Sequence, residues 1–192
     1  MGRVLVACEF SGIVRDAFIA AGHDAISCDL LPSERPGPHI QGDVRPLLRE
    51  PWDLVIAHPP CTYLANSGVR WLYRDGRRDE DRWARMAEAA EFFHECLLAN
   101  APRVCVENPV MHRHAGIRKA NQFIQPWQFG HGEVKATGLW LRGLPLLEPT
   151  EIVDGRTPRV HHMSPGPDRW RERSRTFPGI AAAMADQWGD FA

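Results

Sequence analysis

The sequence predicts an α/β protein built on a parallel sheet. Two observations carry this. Short apolar runs alternate with segments of helical period, and the runs end in polar groups, Glu9, Asp29, Asp43, Cys61 and Glu107. In a parallel sheet such ends share one rim, where open α/β sheets hold their ligands. A length of 192 residues with 44% hydrophobic content suits one domain with a sizeable core.

The elements follow in order. Arg3 to Ala7 reads as a buried strand. Ser11-Gly12 opens a helix whose apolar face is Val14, Ala17, Phe18 and Ala21, and Gly22 stops it. Asp24 to Cys28 is a second strand ending in Asp29, and Pro32 to Pro38 a proline-rich loop. Ile40 to Val44 is a short third strand holding Gly42-Asp43, and Asp53 to Ala57 a fourth. A mixed segment runs to about Arg78. A long helix follows, roughly Glu80 to Asn100, with Trp83, Met86, Ala87, Ala90, Phe93 and Leu97 on one stripe. Such a stripe is core. Arg103 to Val106 is another buried strand, ending in Glu107-Asn108-Pro109, and Leu139-Trp140-Leu141 belongs to a later one. Residues 143–176, rich in Pro, Gly and Arg, read as an irregular insertion, and Pro178 to Trp188 as a short helix with proline at its start.

The net charge of −1 gives no overall field toward a polyanion. Nucleic-acid binding then needs local basic patches. Two exist: Arg70, Arg74, Arg77, Arg78, Arg82 and Arg85, diluted by Asp75, Asp79, Glu80 and Asp81; and Arg169, Arg171, Arg173 and Arg175. The five cysteines are scattered, with no CxxC pair, so neither a zinc ribbon nor a disulfide framework is indicated. Four lie in apolar runs and read as small buried residues; Cys61 alone sits among turn residues. No run approaches a membrane span, and Met1-Gly2-Arg3-Val4 enters a strand without a signal-peptide pattern. A cytoplasmic location is expected.

The stretch Trp52 to Thr62 is the most informative. An apolar run stops at His58-Pro59-Pro60, and Cys61 follows at once. A thiol on a stiff turn at a strand's carboxyl end is placed as a nucleophile. The order of motifs around it resembles that of the DNA (cytosine-5) methyltransferases. Phe10-Ser11-Gly12 is similar to their cofactor loop, Asp29 to the acid on the ribose of S-adenosylmethionine, and Gly42-Asp43 to the motif whose acid meets the adenine. Pro60-Cys61 matches the nucleophile dipeptide and Glu107-Asn108 the Glu-Asn of a later strand, while Ile180-Ala-Ala-Ala-Met184-Ala resembles the C-terminal motif helix. The resemblance covers about residues 3–141 and 178–189.

It implies a Rossmann-like S-adenosylmethionine-dependent methyltransferase fold, a mostly parallel sheet with helices on both faces. It implies methyl transfer to C5 of cytosine in flipped-out DNA. Cys61 is then the nucleophile at C6, Glu107 the acid at N3, and Asn108 and Pro60 hold the loop. Phe10, Ser11, Gly12, Asp29, Asp43 and Pro59 are expected at the cofactor. Lys135 and Thr137, in Glu133-Val-Lys135-Ala-Thr137, stand where the family's Gln-x-Arg-x-Arg set falls, and with Arg173 and Arg175 they are expected on the substrate side.

Thr62 replaces the family's usual Gln, and Pro109 its usual Val. A full target-recognition domain is missing, as in compact phage-encoded forms. Residues 1–192 are expected to form one domain, with a core of about 1–141 and 178–192 and a minimal recognition region at 143–176. A homodimer would complete the DNA surface.

Other readings compete. Free cytosine nucleotide suits the same thiol chemistry. His58-Pro59-Pro60-Cys61 also resembles the Asn/Asp-Pro-Pro-Tyr motif of amino-methyltransferases, but offers no ring at Cys61. A silent S-adenosylmethionine- or DNA-binding domain would not need an intact Cys61 and Glu107. His112, His114, His161 and His162 lack cysteines or acids at ligand spacing and read as exposed loop residues, with no metal expected. Trp127, Trp140, Trp170 and Trp188 read mostly as packing residues, with Trp170 in reach of a base.

Overall fold

The computed structural model describes residues 1–160 and 162–190. The strands are β1 (Arg3–Ala7), β2 (Asp24–Asp29), β3 (His39–Gln41), β4 (Leu54–Ala57), β5 (Tyr73–Arg74), β6 (Arg77–Arg78), β7 (Arg103–Asn108), β8 (Gln122–Ile124) and β9 (Thr137–Arg142). The helices are α1 (Ile13–Ala20), α2 (Arg45–Leu48), α3 (Glu80–Leu97), α4 (Arg169–Ser174) and α5 (Pro178–Gly189).

Seven strands form one sheet in the order β3-β2-β1-β4-β7-β9-β8. The first five are mutually parallel, and β9 and β8 add antiparallel. The chain winds from β1 outward through β2 and β3, then crosses back to β4. The strand order therefore reverses between β1 and β4, leaving a crevice beyond their carboxyl ends.

Both faces of the sheet are covered, which is why its strands read as unbroken apolar runs. Side chains alternate along each strand. Val4, Val6, Leu54 and Ile56 face one layer with Val14 and Phe18 of α1 and Ile180, Ala181, Met184 and Trp188 of α5. Leu5, Ala7, Val55 and Ala57 face the other, against Met86, Phe93 and Cys96 of α3. The small side chains of α5 let it lie close against α1. Asp79 caps α3 by accepting the Arg82 N–H at 3.0 Å.

Several boundaries differ from the sequence reading. The third strand spans His39–Gln41, so Gly42 and Asp43 follow it. The long helix ends at Leu97, and Ala87 faces solvent while Cys96 completes the buried stripe. Ala21 is exposed just past α1. The insertion contains α4, and the mixed segment contains the β5–β6 hairpin. Trp140 and Trp188 are core, whereas Trp170 is exposed. His112 is buried, contrary to its expected exposure; His161 lies outside the described residues. Among the described residues, no helix is long and apolar enough to cross a membrane, and no group of three or more His, Cys, Asp and Glu is placed to hold a metal ion.

Candidate active site

The loop after β1 turns sharply. Cys8 takes a left-handed φ of 58°, and Glu9 folds back beneath α1. Its carboxylate accepts the Val14 N–H at 2.7 Å, the Arg15 N–H at 3.2 Å and the Ser11 hydroxyl at 3.1 Å. Glu9 thus does the capping that Gly12 cannot, and is committed to the helix rather than to a ligand. Gly12 has φ 71°, and a Cβ there would meet the guanidinium of Arg15. That guanidinium is fully buried, paired with Asp16 at 2.7 Å, and donates to the Pro36 carbonyl at 3.0 Å and the Ser33 hydroxyl at 3.1 Å. It moulds the proline-rich loop against the β1 turn.

The loop after β4 carries His58, Pro59, Pro60 and Cys61. The register pairs Ala57 with Val106, so His58 emerges beside Glu107. The Asn108 amide donates to the Pro59 carbonyl at 2.7 Å and to the Glu107 carbonyl at 2.9 Å. Beyond Cys61 the chain is pinned again. The Leu64 and Ala65 N–H groups both donate to the Cys61 carbonyl, and Asn66 N–H donates to Val110 at 2.8 Å. His112 Nε2 lies 3.0 Å from the Tyr63 carbonyl. Arg82 donates to the Thr62 carbonyl and Arg85 to the Tyr63 hydroxyl. Cys61 is therefore held on a braced turn.

A cleft of about 1390 Å³ opens over the switch point, its wall including Phe10, Asp29, His58, Cys61, Lys135 and Arg173. Glu107 reaches it through His58, whose Nδ1 lies 2.9 Å from Glu107 Oε2. Burial pushes the Glu107 carboxyl up, but the hydrogen bond from His58 and the Lys135 ammonium outweigh it and hold the group below the usual carboxylate range. The carboxylate is the acceptor, so His58 Nδ1 carries the hydrogen. Burial pushes the Cys61 thiol up, and the charge of Glu107 adds to this; a backbone hydrogen bond, Lys135 and Arg173 pull the other way without cancelling it. The resting site thus holds a thiol and a carboxylate.

Beside the cleft, a recess of about 260 Å³ is lined by Cys28, Gly42, Asp43, Val44 and Phe92 among others. Cys8, Asp29 and Pro60 line both cavities, so the two lie side by side and share a wall. Burial raises the Asp29 carboxyl despite its hydrogen bond from Leu31 N–H. An apolar recess with acids at its edge, next to the cleft that Cys61 lines, fits an adenosine-bearing, positively charged cofactor.

The sequence-predicted residues divide accordingly. Cys61, Pro60, Phe10, Asp29, Lys135 and Arg173 line the cleft, and Asp43 the recess. Ser11, Gly12, Pro59 and Asn108 shape the loops behind them. Thr137 is buried, and its hydroxyl donates to the Lys135 carbonyl at 3.2 Å. Arg175 is committed to Glu34, at 2.8 and 2.9 Å, and to Glu172. Cys8, expected as core, lines both cavities. His58, considered in the sequence only against an amino-methyltransferase motif, is the unexpected member. The signal for it was the alignment of two neighbouring strand ends.

No protein-family model matches the chain, and no curated protein sequence does. Solved structures do. A DNA modification methyltransferase encoded within an E. coli prophage superposes with a TM-score of 0.50 at 14% identity, covering 79% of this chain and 51% of that one. A mutant DNMT2 from Spodoptera frugiperda gives a TM-score of 0.42 at 14% identity over 82% and 57% of the two chains. Dnmt2 from S. pombe gives 0.38 at 13% over 86% and 56%. The chain thus spans about half the length of these three structures, and at 14% identity the likeness to the prophage protein is one of fold. The chain has a Rossmann-like α/β fold, which it shares with that prophage-encoded structure.

Proposed function

We propose that this protein transfers a methyl group from S-adenosylmethionine to C5 of cytosine in DNA. The observation that carries the reading is the juxtaposition at the switch point. Cys61 and the His58–Glu107 pair stand on adjacent strand ends, and their cleft shares a wall with an acid-edged recess. Asp29 and Asp43 would hold the ribose and adenine, and Phe10 the wall between them and the thiol. Bound there, S-adenosylmethionine supplies an electrophilic methyl group.

Cytosine C5 is a poor nucleophile until sulfur adds to C6. Cys61, as thiolate, forms the S–C6 bond, and the displaced electron pair makes C5 enamine-like while N3 takes up a proton from the His58–Glu107 pair. Once C5 carries the methyl group, a solvent base takes the C5 proton, and the freed electron pair re-forms C5=C6 and expels Cys61 as thiolate. Lys135 and Arg173 supply the positive charge that favours its thiolate.

The rim supports a polymer over a free nucleotide. Arg74, Arg82, Arg85 and the exposed Trp71 and Trp170 border the same cleft. Cations that meet phosphates and rings that stack on bases are what a flipped nucleotide and its flanks require. Among the described residues of 143–176, Arg173 is the arginine that lines the cleft, while Arg171 and Arg175 pair with Glu34. The β5–β6 hairpin therefore joins that segment on the substrate side.

The test is incubation with methyl-labelled cofactor and duplex DNA, single-stranded DNA or free nucleotides, followed by nucleoside analysis. Label in 5-methyldeoxycytidine from duplex DNA is expected. N4-methylcytosine or N6-methyladenine would overturn the cysteine chemistry, and label only in nucleotide would overturn the DNA substrate.

A further inference from the structure

Cysteine addition to cytosine needs an acid at N3, and two side chains share that part of the site. We propose that His58, rather than Glu107, is the acid that meets the ring, with Glu107 as the carboxylate that orients it. The inference rests on the cytosine C5 reading above.

Three observations carry it. His58 forms part of the cleft wall beside Cys61, whereas Glu107 connects to that wall through the 2.9 Å bond to His58 Nδ1. The His58 side chain is 9% exposed, and its Nε2 is buried without a protein hydrogen-bond partner. A buried ring nitrogen left unpaired is unfavourable, and His58 is the member of the pair that lines the cleft where a base would lie. Finally, the Nδ1 bond fixes the ring. A carboxylate behind one imidazole nitrogen holds the other toward the reacting atom and stabilises the imidazolium, the arrangement by which acid–base histidines are oriented.

The step balances. Imidazolium His58 donates Nδ1–H to Glu107 and Nε2–H to N3. Cys61 gives its thiol proton to solvent and its electron pair to C6; the C5=C6 pair becomes C4=C5, and the C4=N3 pair takes the Nε2 proton. The adduct and His58 are then both neutral, and Glu107 remains a carboxylate throughout. When sulfur leaves, the N3 proton returns to Nε2. Held below the usual carboxylate range, Glu107 is poorly suited to carry that proton itself. The charged and titratable groups around the pair are Asp29 on β2, Cys61 on its own loop, Cys105 on β7 and Lys135 before β9.

The test compares wild type, H58A, H58N and E107Q in single-turnover formation of 5-methyldeoxycytidine against pH, with melting temperature and cofactor affinity as controls. H58A should lose about 10²- to 10⁴-fold and regain part of that on addition of free imidazole. H58N, which keeps a donor for Glu107 but has no Nε2, should fold normally and lose as much. E107Q still accepts the Nδ1 hydrogen, so it should lose less, with its alkaline limb moved to lower pH because the imidazolium has lost its counter-charge. Near-wild-type rates in H58A and H58N, or an E107Q loss equal to theirs with no movement of that limb, would overturn the role of His58 alone. A wild type that forms no 5-methyldeoxycytidine would overturn the reaction and this role together.

Discussion

The Asn108 side-chain amide donates to the carbonyl of Pro59 at 2.7 Å, joining the end of β7 to the loop that presents Cys61. Asn108 is 2% exposed, so the bond is shielded from water. Removing it in N108A should destabilise the fold by about 1–3 kcal/mol, read as a lower melting temperature. It should also lower turnover by about 10²-fold if Cys61 shifts by an ångström. N108D, which cannot donate, should behave no better. Full activity in either variant would separate this bond from catalysis.

Lys135 is the nearest test of how the thiol is charged. Burial holds the Cys61 thiol above its ordinary value and Lys135 opposes this. The thiolate forms as pH rises, so alkylation by iodoacetamide should accelerate well above neutral pH. K135A should move that rise to still higher pH. An unchanged rise in K135A would mean that Lys135 does not act on Cys61. Peptide mapping separates Cys61 from Cys8, Cys28, Cys96 and Cys105.

Asp29 opposes stability to function. Its carboxyl titrates above the usual range because burial penalises the charge, so ionised Asp29 disfavours the folded state at neutral pH. D29N keeps an acceptor for Leu31 N–H and removes the charge. It should raise the melting temperature at neutral pH, and the gain should vanish as pH falls through the Asp29 titration. Affinity for S-adenosylhomocysteine should fall by about 10- to 100-fold, the loss of a charge-assisted hydrogen bond, as calorimetry would show.

The β5–β6 hairpin should grip phosphates. Asp75 and Gly76 both have positive φ, as a two-residue hairpin turn requires, and all four strand residues are exposed. The R74A/R77A double variant should bind duplex DNA more weakly and lower the slope of log K against log salt by about 0.9 for each phosphate contact removed. Fluorescence anisotropy over a salt series reads both. An unchanged slope would place the DNA elsewhere.

The parallel strands were legible because burial on both faces leaves continuous apolar runs, such as Leu54 to Ala57. Their polar ends marked the rim, and Cys61, Asp29 and Lys135 do converge there. Elements without a buried face left no period to read. The hairpin has four exposed residues, α4 buries none, and α2 spans four residues with Leu48 alone buried. Glu9 was visible as a polar strand end, but its use as a helix cap depends on Gly12 lacking a side chain. The His58–Glu107 bond joins residues 49 apart in sequence, and only the β4–β7 register brings them together.

The most direct measurement uses duplex DNA carrying 5-fluorodeoxycytidine. Fluorine at C5 cannot depart as a cation the way hydrogen does, so after methyl transfer Cys61 has no route of expulsion. With S-adenosylmethionine present, a denaturation-resistant complex should form, and peptide mapping should place the base on Cys61. C61A should form none. A trapped complex on another residue, or methylation of ordinary cytosine with no trapping at all, would contradict the covalent Cys61 mechanism.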